Sequence, residues 1–405
     1  MVSGIAWLDT SAEEQRRVRE LIKLFSDQES RDELGIGQIR DVFSDALFPG
    51  TSVLLTRARY FLIVPWAFQY HAARGRSGPA LRASTDKTER KLIEILRQAG
   101  YTEGLIGRVR GPSVKILPST IYWSGLRRYR ILTHDASPDG LGQHSHPNDP
   151  DADELAARVV GDWNATLPRA PEEFPWKLDG GLELNHEESS WLREQILTAV
   201  PNTLLAHLLT ESHAPDSGSF APWADPVVGT VNGTVAETLR HAELFSLAMN
   251  GAALSYNFQL GVRYEKQGYN RVVDPAQTYR DAYDDWLVEV NENARRMARW
   301  DINDFWQFVL ERNPRISPST RVFISDWLEV VRSGAATEGL DARALSQLVA
   351  QREQSVKRGQ SRLTNDKLLA SWSGASGQGR LTYRWNNVRR IVTDIHEGLE
   401  TNAGS

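Results

Sequence analysis

Apolar positions along this chain recur mostly at the spacing of helices. Val18, Leu21, Ile22 and Phe25 share a face behind a capping box of Ser11 and Glu14, which predicts a first helix. Ile36, Ile39, Phe43, Ala46 and Leu47 form a second stripe, ended by Pro49-Gly50 because proline offers no amide hydrogen to the helical ladder. Residues 60–68 are apolar on every side and predict a buried segment, either a helix kinked at Pro65 or a core strand. Residues 84–98, with Leu92, Ile95, Leu96 and Ala99 inward and Gly100 as the stop, predict another helix; 119–132, led in by Pro118, predict the next. Further helices are expected at 186–199, 203–209, 235–260, 275–300, 301–310, 319–331, 341–352 and 384–399. Ala242, Ala248, Gly251, Ala252 and Ala253 suit close helix packing. Strand signals are sparse; residues 380–383 are one candidate for a short hairpin arm.

The expected class is mainly α, multi-helical and in two domains, with room for a small winged-helix-like element in the N-terminal third. Residues 133–181 are rich in proline, glycine and acidic groups and predict a linker holding one short helix at 153–163. That divides the chain into a basic helical domain at 1–132, the linker, and a helical domain at 182–405 with a basic final segment. With 405 residues, 40% apolar and 24% charged, a large core is expected. The absence of cysteine excludes disulfide staples, zinc ribbons and thiol nucleophiles. No apolar run approaches the roughly 20 residues of a membrane span, and the N-terminus lacks a signal-peptide pattern. A cytoplasmic protein without a membrane partner or cofactor is expected.

Charge changes the picture more than composition does. The net charge of -5 conceals +11 between Arg57 and Arg130, -10 between Asp135 and Glu188, and +8 between Arg343 and Arg390. Such asymmetry points to a polyanionic partner, although arginine supplies 39 of the 47 basic residues, a bias that GC-rich genomes also produce. The candidate nucleic-acid contacts are Arg57, Arg59, Trp123, Arg127, Arg128 and Arg130 in the first basic block. In the last block they are Arg380, Arg384, Trp385, Arg389 and Arg390. Aromatic and cationic groups interleaved in this way suit base stacking and phosphate neutralisation. The alternative is that the aromatics face the core while the arginines extend outward. The segment around Trp123 also suits a recognition helix, and its terminal arginines suit the helix dipole.

Other constellations are weaker. Asp41 and Asp45, one helical turn apart, suit a Mg2+ ion or an acid–base pair; the structural alternative is pairing with Arg57 and Arg59 across the turn. His134, His144 and His146 with Asp149, Asp151 and Asp153 match no closed metal site, so no metal is expected. The glycine-rich stretch 373–379 lacks the preceding strand and following Lys-Ser/Thr of a P-loop and is expected to be a flexible loop. No Ser nucleophile elbow, HExxH or Rossmann fingerprint occurs.

Arg390 and His396, on a helix of an all-α chain, resemble the motif of HEPN-type ribonucleases, whose pair acts on the ribose 2'-OH and the phosphate. That resemblance makes Arg390 and His396 candidate catalytic residues. The chain has four such Arg–His spacings, against about 2.6 expected by chance from its composition. A longer resemblance runs through GIAWLD (4–9), RDELGIGQIRDVFSDALFPGTSVLLTRARYFLIVPW (31–66), TIYWSGLRRYRI (120–131), NGAALSYNFQL (250–260) and LTYRWNNVRRIVTDIHEGL (381–399). These stretches resemble a bacterial family classed as a domain of unknown function. The resemblance implies an association with phage-defence genes, including helicases and phospholipase D-like nucleases, and carries no catalytic residue. Three readings follow: a DNA-binding accessory component of a defence system, a helical nuclease using Arg390/His396 or Asp41/Asp45, and a scaffold docking a helicase or nuclease.

Overall fold

The computed structural model describes residues 32–142 and 161–401. The first predicted helix, with Ser11 and Glu14, lies outside them, as do His144, His146, Asp149, Asp151, Asp153 and most of the short helix expected at 153–163. Fourteen α-helices and no strand occur among the described residues. They are α1 (Gly37–Leu47), α2 (Tyr60–Ala72), α3 (Gly78–Gln98), α4 (Pro118–Arg128), α5 (His186–Ala199), α6 (Leu204–Thr210) and α7 (Gly233–Lys266). Then come α8 (Pro275–Glu292), α9 (Ala294–Ala298), α10 (Ile302–Arg312), α11 (Pro318–Arg332), α12 (Arg343–Lys357), α13 (Asp366–Ala370) and α14 (Trp385–Glu400). The chain is thus mainly α. The described part of the N-terminal third contains no strand to form a wing, and residues 380–383 are irregular rather than a hairpin arm. The only extended pairing described is an isolated bridge between Leu132 and Trp163.

The chain divides into two compact units, Met1–Val42 with Arg240–Leu381, and Phe43–Leu239 with Thr382–Ser405. Each is assembled from segments distant in sequence, whereas the charge pattern suggested contiguous blocks. In the second unit the physical reason is plain: α14 packs along α5 and α6. Gly398 permits this approach, since a Cβ there would fall 2.9 Å from the Leu184 carbonyl oxygen.

The first unit is organised by the small residues of α7. Gly251 lies against the Trp286 ring, and a Cβ at Gly261 would come within 2.7 Å of the Ala276 nitrogen. Two buried indoles, Trp286 and Trp327, donate to the carbonyls of Leu247 and Ala248, each at 2.8 Å. The polar edge of each large aromatic is thereby satisfied as its ring is removed from water.

In the second unit α2 is the core element, with every residue of 60–68 buried. The apolar run is therefore a helix, not a strand, and it accommodates Pro65 within it. Its rings mesh with those of α4 and the residue after it: Phe61 lies 4.9 Å from Tyr122 and 5.2 Å from Tyr129, and Phe68 lies 5.6 Å from Trp123. Residues 161–181 belong to this core rather than to a free linker. Trp163, Phe174 and Leu178 are buried, and the Pro168 carbonyl accepts the Trp66 indole N–H at 2.8 Å.

A buried carboxyl joins α3 to α4. Glu89 accepts the Ser119 amide at 2.6 Å and the Ser119 hydroxyl at 2.7 Å. Burial pushes this carboxyl up to about 7 against the pull of both hydrogen bonds. The folded protein therefore holds a proton that the unfolded chain releases near pH 4.5. The stability this confers is complete below that pH and is lost as pH rises through about 7. Glu89→Gln is expected to match the parent near pH 4 and to exceed it by up to about 3 kcal/mol near pH 8. Urea unfolding across that range checks this; a difference independent of pH would contradict it.

Candidate nucleic-acid interface

The arginines at the front of the first basic block turn inward. Arg57 is 6% exposed, and its Nε donates to both oxygens of Asp394 at 3.1 and 2.9 Å. Asp394 also accepts the Ala58 amide at 2.8 Å and lies 3.1 Å from Arg390 Nε. Burial pushes the Asp394 carboxyl up, and Arg57, the Ala58 amide and Arg390 oppose that push. Arg59 is likewise buried, donating to Glu188 at 2.8 Å and to the carbonyls of Asp179 and Gly181 at 2.6 and 2.9 Å. Glu188 also closes the capping box of α5 with Asn185.

Other candidates serve the fold in similar ways. Trp123 donates to the Ala136 carbonyl at 3.0 Å, and Arg127 pairs with Asp135. Trp385 is fully buried and donates to Ser219. Arg384 binds Asp45 and the Thr51 carbonyl, each at 2.7 Å. Arg389 donates to the carbonyls of Ser219 and Asp216, and Arg390 pairs with Glu103. In the first unit, Arg380 grips Glu289 with one nitrogen at 2.6 and 2.8 Å. In the second basic block Trp385 is thus buried, and the arginines around it bind carboxylates and carbonyls of the protein. Of the candidates, Arg128 and Arg130 remain exposed, with no carboxylate at ion-pair distance among the described residues.

The catalytic candidates are separated by their partners. Asp41 pairs with Arg40 and Asp45 with Arg384, so neither meets Arg57 or Arg59 as the turn suggested. The His396 ring is buried with Nε2 3.0 Å from the Leu208 carbonyl, while Arg390 is held by Glu103 and Asp394. His134 lies 3.2 Å from Asp162, and the described residues contain no metal-binding cluster.

Side chains from elsewhere in the first unit hydrogen-bond to the glycine-rich stretch. Asn257 accepts the Ser376 amide and donates to the Ser376 carbonyl, both at 2.8 Å, and Tyr279 donates to the Gly374 carbonyl at 2.6 Å. The cavity bordered by Glu33, Tyr256 and Ser376 has a volume of about 40 Å³. That is room for water and not for a substrate.

One group of water-facing cations lies elsewhere in the second unit. α3 buries Leu92, Ile93 and Leu96 and turns Lys87, Lys91 and Arg97 outward. Its buried face carries the segment 104–115: Arg90 donates to the Val114 carbonyl at 2.9 Å, and Gly107 lies against Ile93. Gly107 and Gly111 both adopt positive φ, at +85° and +57°, and the bend between them projects Arg108 and Arg110 into solvent. Lys115 is exposed just beyond. Among the described residues none of these six cations has a carboxylate at ion-pair distance. Glu94 is the one exposed acid between Lys91 and Arg97. Beside α3 stands Trp176, 59% exposed, with Lys91 Nζ 3.6 Å from its ring centre. Arg108 and Arg110 were legible as an Arg-x-Arg between two glycines within the +11 block, with Lys115 four residues beyond the second glycine. Trp176 carried no signal, since a tryptophan in a proline-rich acidic segment has the same pattern as a core residue.

Fold and surface together define a mainly α-helical protein with buried ion pairs and a separate exposed cationic face. By comparison with known families the chain belongs to DUF6361, a family of unknown function, whose model matches residues 2–398. Neither the curated proteins nor the solved structures contain a match to it. No helix among the described residues is long and apolar enough to cross a membrane.

The buried and exposed charges predict different responses to substitution. Asp394→Asn keeps the side-chain shape but leaves the Arg57 guanidinium buried without a counter-charge. A loss of about 3–5 kcal/mol in urea unfolding is expected. Asp41→Asn, at an exposed pair, is expected to stay within about 1 kcal/mol of the parent. Equal effects would contradict the assignment.

Proposed function

We propose that this protein binds nucleic acid, with DNA the expected form, as an accessory component of a bacterial defence system. The observation that supports this is the exposed face of α3 and 104–115, where six cations stand without carboxylate partners among the described residues. Exposed cations without carboxylate partners attract a phosphate backbone and release its counterions on binding. The defence role rests on the family's resemblance to components found beside helicase and nuclease genes. Relative to the sequence reading, the contacts move away from Arg57, Arg59 and Trp385, which are buried, to Arg97, Arg108, Arg110 and Lys115.

The test is binding of labelled DNA at several salt concentrations. Arg108→Glu combined with Arg110→Glu is expected to weaken binding at least tenfold near 50 mM salt and to lower the salt slope by about 2. Folding should be unchanged, because both side chains are exposed. No binding at low salt would overturn the proposal, and recovery of a helicase or nuclease in a pull-down would then favour the scaffold.

A further inference from the structure

We infer that the face formed by α3 and Trp176 is built for single-stranded nucleic acid, with the indole stacking on an unpaired base. The inference rests on the nucleic-acid reading above and deepens it. A phosphate-binding surface alone needs only cations. Here a large aromatic, Trp176, is also exposed beside Lys91, and an exposed aromatic next to a cation is the pairing that base stacking uses.

The backbone that carries the ring is held by its neighbours. The Trp176 amide donates to the Glu173 carbonyl at 2.8 Å, and the preceding Phe174 is buried with its ring 5.8 Å from that of Trp66. Lys177 binds Glu173 at 3.0 Å and Asp179 at 2.8 Å, which fixes the chain on the other side. Those pairs also neutralise two of the nearest carboxylates. Glu172 and Glu94 remain as exposed acids near the ring and along α3. They leave the face cationic but not uniformly so.

Lys91 lies over the indole as a cation–π partner, so a cation accompanies whatever stacks there. Lys87 is one helical turn before it and Arg97 about 9 Å beyond it along the axis. Lys87 and Lys91 share a face of α3, with Arg97 about 120° around the helix, so a strand lying on that face would meet a stacking platform beside the two lysines. In a duplex the base faces are stacked on each other, and an indole on the outside of a helix has nothing to stack on. A single strand presents free base faces, and stacking of this kind tolerates any sequence.

The experiment compares fluorescein-labelled oligo(dT) of about 15 nucleotides with a duplex of equal length at one ionic strength. The single strand is expected to bind about tenfold more tightly. Trp176→Ala should weaken single-strand binding about tenfold and leave the duplex unchanged, while Trp176→Phe retains most of the affinity. Thermal unfolding of each variant shows whether the fold is intact, and Trp176→Phe carries the test if the alanine variant unfolds. Equal affinity for both forms, or an intact Trp176→Ala that binds oligo(dT) like the parent, would overturn the inference. If Arg108→Glu with Arg110→Glu still abolishes binding in that case, the nucleic-acid reading stands without it. If the parent binds neither form at low salt, both fall.

Discussion

The second unit depends on one desolvated carboxylate. Asp394 lies inside α14 and gathers the Arg57 guanidinium, the Ala58 amide and Arg390. Its partner Arg57 is 337 residues away in sequence. A buried ion pair of this kind gains little net stability over an apolar pair, but breaking it by removing one partner is costly. Its value lies in specificity: one acceptor with several directed donors fits one docking of the helix against the start of α2. Arg59 works in the same way on Glu188 and on the 179–181 turn, so two arginines on either side of Ala58 draw in two distant parts of the chain.

This constraint explains why charge along the sequence is a poor guide to charge on the surface. Arginines that hold a fold together need carboxylates or carbonyls and leave water to reach them. Those that bind a polyanion must remain solvated and unpaired. Arg57, Arg59, Arg384, Arg389 and Arg390 follow the first course, whereas Lys87, Arg97, Arg108, Arg110 and Lys115 are exposed with no carboxylate at ion-pair distance among the described residues. Both sets are conspicuous for their charge in the sequence, and only the fold separates them.

The helices were legible because they are set by local rules. The expected span 186–199 agrees with α5 since Asn185 and Glu188 form its capping box and Pro201 follows its end. The long pattern at 275–300 divides near Asn293 into α8 and α9, a break that the continuing apolar stripe hides. The glycine stretch 373–379 gave no sign of its anchors, because Asn257 and Tyr279 reach it from about a hundred residues away. Residues 161–181 resembled a linker by their prolines, yet Trp163, Phe174 and Leu178 were apolar enough to mark a buried segment. Ion-pair partners and surface exposure depend on tertiary packing and carry no periodic signal.

The division between inward and outward cations is tested most directly by hydrogen–deuterium exchange with and without a bound oligonucleotide. Protection is expected over residues 87–115 and around Trp176, with the amides of α14 unchanged because its arginines are already engaged in the fold. Protection confined to 384–390, with none at 104–115, would contradict the account.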